Sequence, residues 1–135
     1  MKFRGIGLKG LETPVVRGEV IVNRQPISFL GDFDVETGIC IRSDHDIEGK
    51  NVANKILIFP FGIGSTVGTY SLINMKLNGV APSAILVNKS EPIILVACCV
   101  ANIPHLHSFD FDVTTFFQNG EIVEVDSENG TVAIL

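Results

Sequence analysis

KILIFPFGIGSTVGTYSLINMKLNGVAPSAIL, residues 55–86, is the stretch on which the reading of the whole chain turns. It opens on an apolar run of strand length, Lys55 to Pro60, and passes through a loop that holds Gly62 and Gly64, with Gly68 shortly after. From Ser65 to Asn78 the pattern is helical, with Val67, Tyr70, Ser71, Asn74 and Leu77 at helical spacing and Gly79 as a stop. Ser83 to Asn88 then reads as the next strand. This order places Ser65 and Thr66 where a helix start exposes N–H groups without internal partners, a setting that suits an anion or a developing negative charge. The glycines let the backbone approach a ligand closely. Ser and Thr are also ordinary helix caps, so position alone leaves capping and chemistry both open.

Spacing excludes the nearest alternatives. A dinucleotide fingerprint needs G-x-G-x-x-G, and here the third glycine comes one residue late; a phosphate-binding P-loop needs Gly-Lys-Ser/Thr. A hydrolase elbow needs G-x-S-x-G, whereas Gly64 directly precedes Ser65 and Val67 follows Thr66.

Outward from this segment, strands are expected at Pro14–Val22, Ile39–Arg42, Glu121–Asp126 and Thr131–Leu135, the last two joined by a turn through Asn129-Gly130. Glu91-Pro92 opens a second helix, since proline fits a first turn and the acid suits the positive end of the dipole. No linker divides the chain, so residues 1–135 are expected to form a single α+β domain.

Composition narrows the function classes. Of the 135 residues 46% are hydrophobic and 19% charged, as in a globule with a substantial core. Residues 1–60 hold eight Lys/Arg against eight Asp/Glu, and residues 61–135 two against seven, so the net charge of −5 arises in the second half. A surface without clustered cations does not neutralise phosphates, which argues against nucleic acid as a partner. The start MKFRGIGLKG lacks the apolar core of a signal peptide, and the longest apolar run, Ile93–Ala101, is too short for a bilayer. The expectation is a soluble cytoplasmic protein with no membrane contact. Cys40, Cys98 and Cys99 lack C-x-x-C spacing and read as small buried hydrophobes. Adjacent Cys98 and Cys99 on one helix would face different directions.

FPFGIGSTVGTY at residues 59–70, with PISFLGDFDVETGICI at residues 26–41, Gly49, NGVAPSAIL at residues 78–86 and the hairpin from Gly120 to Leu135, resembles the small subunits of the aconitase X group. The Gly-Ser-Thr-Val-Gly form is most similar to the branch that dehydrates phosphomevalonate. The resemblance implies a swivelling β/β/α domain docked as a heterodimer on a larger aconitase-like subunit. That subunit would carry a 4Fe-4S iron–sulfur cluster, with no cofactor bound by this chain. It further implies removal of water from (R)-5-phosphomevalonate to give trans-anhydromevalonate 5-phosphate, with Ser65 as proton acceptor and Gly62, Gly64, Thr66 and Gly68 around the substrate. An alternative within the group is the small subunit of a cis-3-hydroxy-L-proline dehydratase. Many relatives carry Arg or Lys where this chain has Ile63, and glycine where it has Phe61. A cationic contact to carboxylate or phosphate is therefore either absent from this loop or supplied by another residue.

A noncatalytic swivel module, like the phosphohistidine domains of phosphotransfer enzymes, would need a reactive histidine beside the glycine loop, and residues 59–70 contain none. His105-x-His107 would point two imidazoles to one side of a strand, near Asp110 and Asp112, but no third ligand follows at metal-site spacing. No metal site is assigned, and both are read as loop or strand-edge histidines. His45, between Asp44 and Asp46, reads as a solvated loop residue.

Overall fold

Val15–Val22 (β3) is the strand around which the molecule is organised, because its two halves pair with different partners. A computed structural model describes all residues, 1–135. The other strands are Lys2–Arg4 (β1), Ile6–Gly7 (β2), Ile56–Phe59 (β4), Ala84–Val87 (β5), His105–His107 (β6), Ile122–Asp126 (β7) and Thr131–Ile134 (β8). Val67–Leu77, Pro92–Ala101 and Val113–Phe116 form helices α1, α2 and α3. The strand order is β1-β8-β7-β3-β4-β5-β6-β2. Residues 15–19 of β3 pair antiparallel with β7, whereas residues 20–22 pair parallel with β4. Strands β4, β5 and β6 continue in parallel, as the intervening helices α1 and α2 require.

The side-chain alternation of the central strands separates two cores. Leu57, Phe59, Ile85 and Val87 point to one face, where they meet Leu72 and Met75 of α1 and Ile94, Ala97 and Cys98 of α2. Ile56, Ile58, Ala84 and Leu86 point to the other, where Val123, Val125 and Val132 of the antiparallel strands cover them. The layers are thus helices, parallel sheet and antiparallel sheet, the β/β/α arrangement. Strands β4 and β5 are buried on both faces, which explains why they read as unbroken apolar runs. Each fully buried Leu or Ile contributes on the order of 2 kcal/mol.

Several sequence expectations need correction. Ile39–Arg42 is not a strand: Phe33 with Cys40 and Ile39 with Asn51 make only isolated bridges inside a loop over residues 23–55. That loop is tied down by its apolar side chains, Ile27, Phe29, Phe33, Cys40, Ile47 and Val52, which sit in the helix-side core. On α1 the buried stripe is Gly68, Leu72 and Met75. Val67, Tyr70 and Leu77, the residues that gave the helical pattern, lie on its exposed side. The short β1, β2, β6 and α3 carry too few residues to show a period. The Asp126–Thr131 hairpin forms at its expected place, with Asp126 Oδ1 accepting from the Asn129 N–H. No helix is long and apolar enough to cross a membrane.

Candidate functional site

Parallel strands deliver their following loops to one edge of a sheet, and that carboxyl edge is where ligands meet open α/β sheets. The segments leaving β3, β4 and β5 begin at residues 23, 60 and 88. They are stitched together by their backbones: Ile27 N–H donates to the Phe61 carbonyl (3.2 Å), Ile63 N–H to the Ile27 carbonyl (2.9 Å) and Asn88 N–H to the Pro60 carbonyl (2.9 Å). The starts of α1 and α2 share this edge, because each follows directly on one of these loops.

Ser65 is exposed at the tip of the β4–α1 loop. Its Oγ accepts from the Val67 N–H at 3.3 Å, and its carbonyl accepts from the Gly68 N–H at 3.0 Å. The residue at the cap position is Thr66, already helical at φ −59° and ψ −20°, and its side chain caps nothing. Simple capping by Thr66 is thereby removed as an account of this residue. The N–H groups of Gly64, Ser65 and Thr66 have no protein acceptor. Successive unpaired N–H groups at a glycine turn and helix start make a concavity of positive potential.

The loop glycines have separate local reasons. Gly64 has φ +106°, and a Cβ there would lie 2.6 Å from Ser28 Oγ. Gly62 makes room for α2, since its Cβ would lie 2.5 Å from Ile94 Cδ1 and 2.7 Å from Glu91 Oε1. Gly68 is buried against Ile93 and the Leu30 backbone. Of the five residues singled out in the sequence, Ser65, Gly64 and Thr66 are exposed together; Gly62 and Gly68 face the protein and set how closely α1, α2 and the loops pack.

Two buried groups hold the flanking loops, and neither is evident in the sequence. Asp32, 2% exposed in its side chain, accepts from the Ser28 N–H (2.8 Å) and pairs with His45 Nε2 (2.9 Å) and Arg42 Nη1 (3.4 Å). His45 is therefore not a solvated loop residue, because the carboxylate of Asp32 draws it inward to 6% exposure. On the other side, His105 Nδ1 lies 2.9 Å from the Ile85 carbonyl and Nε2 lies 2.7 Å from Ser90 Oγ. A carbonyl only accepts, so Nδ1 carries the proton, and the Ser90 hydroxyl donates to Nε2. Burial pushes the His105 imidazole down to about 4, so it stays neutral near pH 7. It is a buried strand residue and not a loop or edge one. The imidazoles of His105 and His107 do share one side of β6, with ring centroids 5.7 Å apart. Ser90 would have been found by asking which hydroxyl follows the next parallel strand.

Nothing in this chain fits an iron–sulfur cluster or a metal ion. No three His, Cys, Asp or Glu side chains gather for one. Cys40 and Cys98 are buried and Cys99 is exposed on α2; burial pushes the Cys98 thiol up, away from the thiolate a cluster needs.

Comparison with known proteins converges on one family. The model described as aconitase X swivel domain matches residues 8–134. The phosphomevalonate dehydratase small subunit of Thermococcus sibiricus is 45% identical over 119 residues, 88% of this chain and 89% of that protein. Its counterpart from Pyrococcus abyssi is 42% identical over 135 residues, 100% of this chain and 99% of that protein. The crystal structure of Thermococcus kodakaraensis aconitase X in its holo-form superposes with a TM-score of 0.92 at 41% identity, covering 100% of this chain and 98% of that one.

Proposed function

The chain belongs to the aconitase X swivel-domain family, and from that premise we propose that it is the small subunit of a hydro-lyase that dehydrates (R)-5-phosphomevalonate. The whole chain, residues 1–135, acts as one swivel domain in the cytoplasm. It docks as a heterodimer on a large aconitase-like subunit, and the 4Fe-4S cluster belongs to that partner. The small-subunit names of the relatives support the pairing, and their shared substrate favours phosphomevalonate over hydroxyproline.

Within this chain Ser65 is the proton acceptor. Dehydration breaks a C–H bond beside the substrate carboxylate; its electron pair forms the double bond as the hydroxyl on the next carbon departs with its bonding pair as hydroxide. The product is trans-anhydromevalonate 5-phosphate; the proton passes to the Ser65 alkoxide Oγ, and its onward transfer to the departing hydroxide gives the water and restores the base. A serine hydroxyl is a weak base unless its anion is stabilised, and oriented N–H donors provide that stabilisation. The observation that carries this reading is the exposed Ser65 Oγ with the Val67 N–H directed at it, beside the unpaired N–H groups of Gly64 and Thr66. The same donors would turn toward a carboxylate or a developing oxyanion. A phosphohistidine carrier role has no support, because both nitrogens of the buried His105 are engaged.

The test is reconstitution. The isolated chain is expected to fold and to be inactive, with turnover of 5-phosphomevalonate appearing on anaerobic mixing with the large subunit. Turnover by the purified chain alone would overturn the two-subunit reading.

A further inference from the structure

Only two basic residues occur after residue 60, Lys76 and Lys89, and they lie at opposite ends of the helical layer. Lys76 sits in the last turn of α1, where it complements the helix dipole. Lys89 follows β5, at the carboxyl edge that carries Ser65. Its N–H donates to the Pro60 carbonyl at 3.2 Å, which ties it to the base of the Ser65 loop. Lys89 lines a cleft with Phe61, Gly62, Ser90 and Glu91. On its C-terminal side Ser90 is held by His105 at 2.7 Å, so the backbone of Lys89 is fixed from both directions.

The ammonium group, by contrast, is uncommitted. Arg17, Arg24, Arg42 and Lys55 each lie within 4 Å of a carboxylate, and Lys89 does not. The acid nearest in the cleft, Glu91, directs one oxygen to the Ile93 N–H (2.9 Å) and the other to the Ile94 N–H (3.0 Å). Its charge is thus engaged by the start of α2. The glycine loop itself offers no cation, since Ile63 stands between Gly62 and Gly64, half-exposed.

Resting on the reading above, we propose that Lys89 binds the phosphate of the substrate and so determines specificity for a phosphorylated acid. The reacting carbon and the carboxylate lie at one end of the substrate's five-carbon chain and the phosphate at the other. A base on one loop and a cation on the neighbouring loop, tied to it through Pro60, supply the two chemistries these ends require. Phosphate carries about −1.5 to −2 charges near pH 7, and a lysine ammonium on a flexible stem serves it as a point charge.

The experiment uses the reconstituted two-subunit enzyme. Lys89→Met is expected to raise KM for 5-phosphomevalonate by about tenfold or more, with kcat within about twofold, as loss of a contact made equally in ground and transition states requires. Lys89→Arg should restore most of the loss, and inhibition by unphosphorylated mevalonate should be the same in parent and variant. An unchanged KM in an active Lys89→Met enzyme overturns the assignment of Lys89 alone. Equal weakening of mevalonate and 5-phosphomevalonate also overturns it, because Lys89 would then read the carboxylate. A parental complex inactive on 5-phosphomevalonate overturns the substrate reading and this inference with it.

Discussion

Acidification should loosen this protein through one buried imidazole before Asp46, Asp112 and Asp126 respond. His105 is fully buried in β6, and its folded value of about 4 lies below the ordinary 6.5 of an imidazole because burial disfavours the charged ring. The unfolded chain therefore binds a proton at a higher pH than the folded one. The stabilising contribution is complete above pH 6.5, falls as pH drops through the window from 6.5 to about 4, and is exhausted below it. The gap converts to roughly 3 kcal/mol, most of which is lost by about pH 4.5. His107, also held down by burial, acts in the same direction. Asp46, Asp112 and Asp126 have folded values below the ordinary 3.8, so their contributions persist until lower pH. The assay is urea unfolding at about pH 7 and about pH 4.5, on the parent and on His105→Gln, whose difference isolates this residue. With a urea slope of about 1–3 kcal/mol per molar, the parent's midpoint should fall by about 1 M more than the variant's. Equal midpoint shifts, or an NMR titration of His105 with its inflection near the ordinary imidazole value, would show that burial of His105 does not set this pH dependence.

Two further outcomes follow from the loops at the carboxyl edge. Glu91→Ala removes the acceptor for the Ile93 and Ile94 N–H groups and should lower stability by about 1–2 kcal/mol, read as a fall in thermal midpoint that Glu91→Asn partly reverses. Gly64→Ala forces a Cβ to 2.6 Å from Ser28 Oγ at φ +106°, so turnover of the reconstituted enzyme should drop severalfold or more while α1 stays folded by circular dichroism.

How much was legible depended on whether a signal is local. Strands β4 and β5 were readable because burial on both faces makes each an apolar run, and Glu91-Pro92 announced α2 through its own capping chemistry. Ser65 was legible as a serine after glycines at a helix start. The helix α1 itself was legible from spacing but its packed face was not, because Tyr70 and Leu77 lie outward while small Gly68 lies inward, so hydrophobicity and burial part company there. Asp32 with His45, and Ser90 with His105, were invisible for a different reason. Each pair joins residues 13 or 15 positions apart whose meeting is set by tertiary packing. A polar residue beside acids reads as solvated until the fold encloses it, which is what happens to His45. Ile39–Arg42 looked like a strand from composition, but no neighbouring strand was available to pair with it.

Proton transfer to Ser65 is put to the test by turnover of 5-phosphomevalonate by reconstituted enzyme carrying Ser65→Ala. Thermal melting and cluster absorbance of the complex serve as controls for folding and assembly. Loss of the base predicts a fall in kcat of roughly two orders of magnitude or more, with both controls near the parent. A Ser65→Ala enzyme that turns over near the parental rate would contradict the account and place the base on the large subunit.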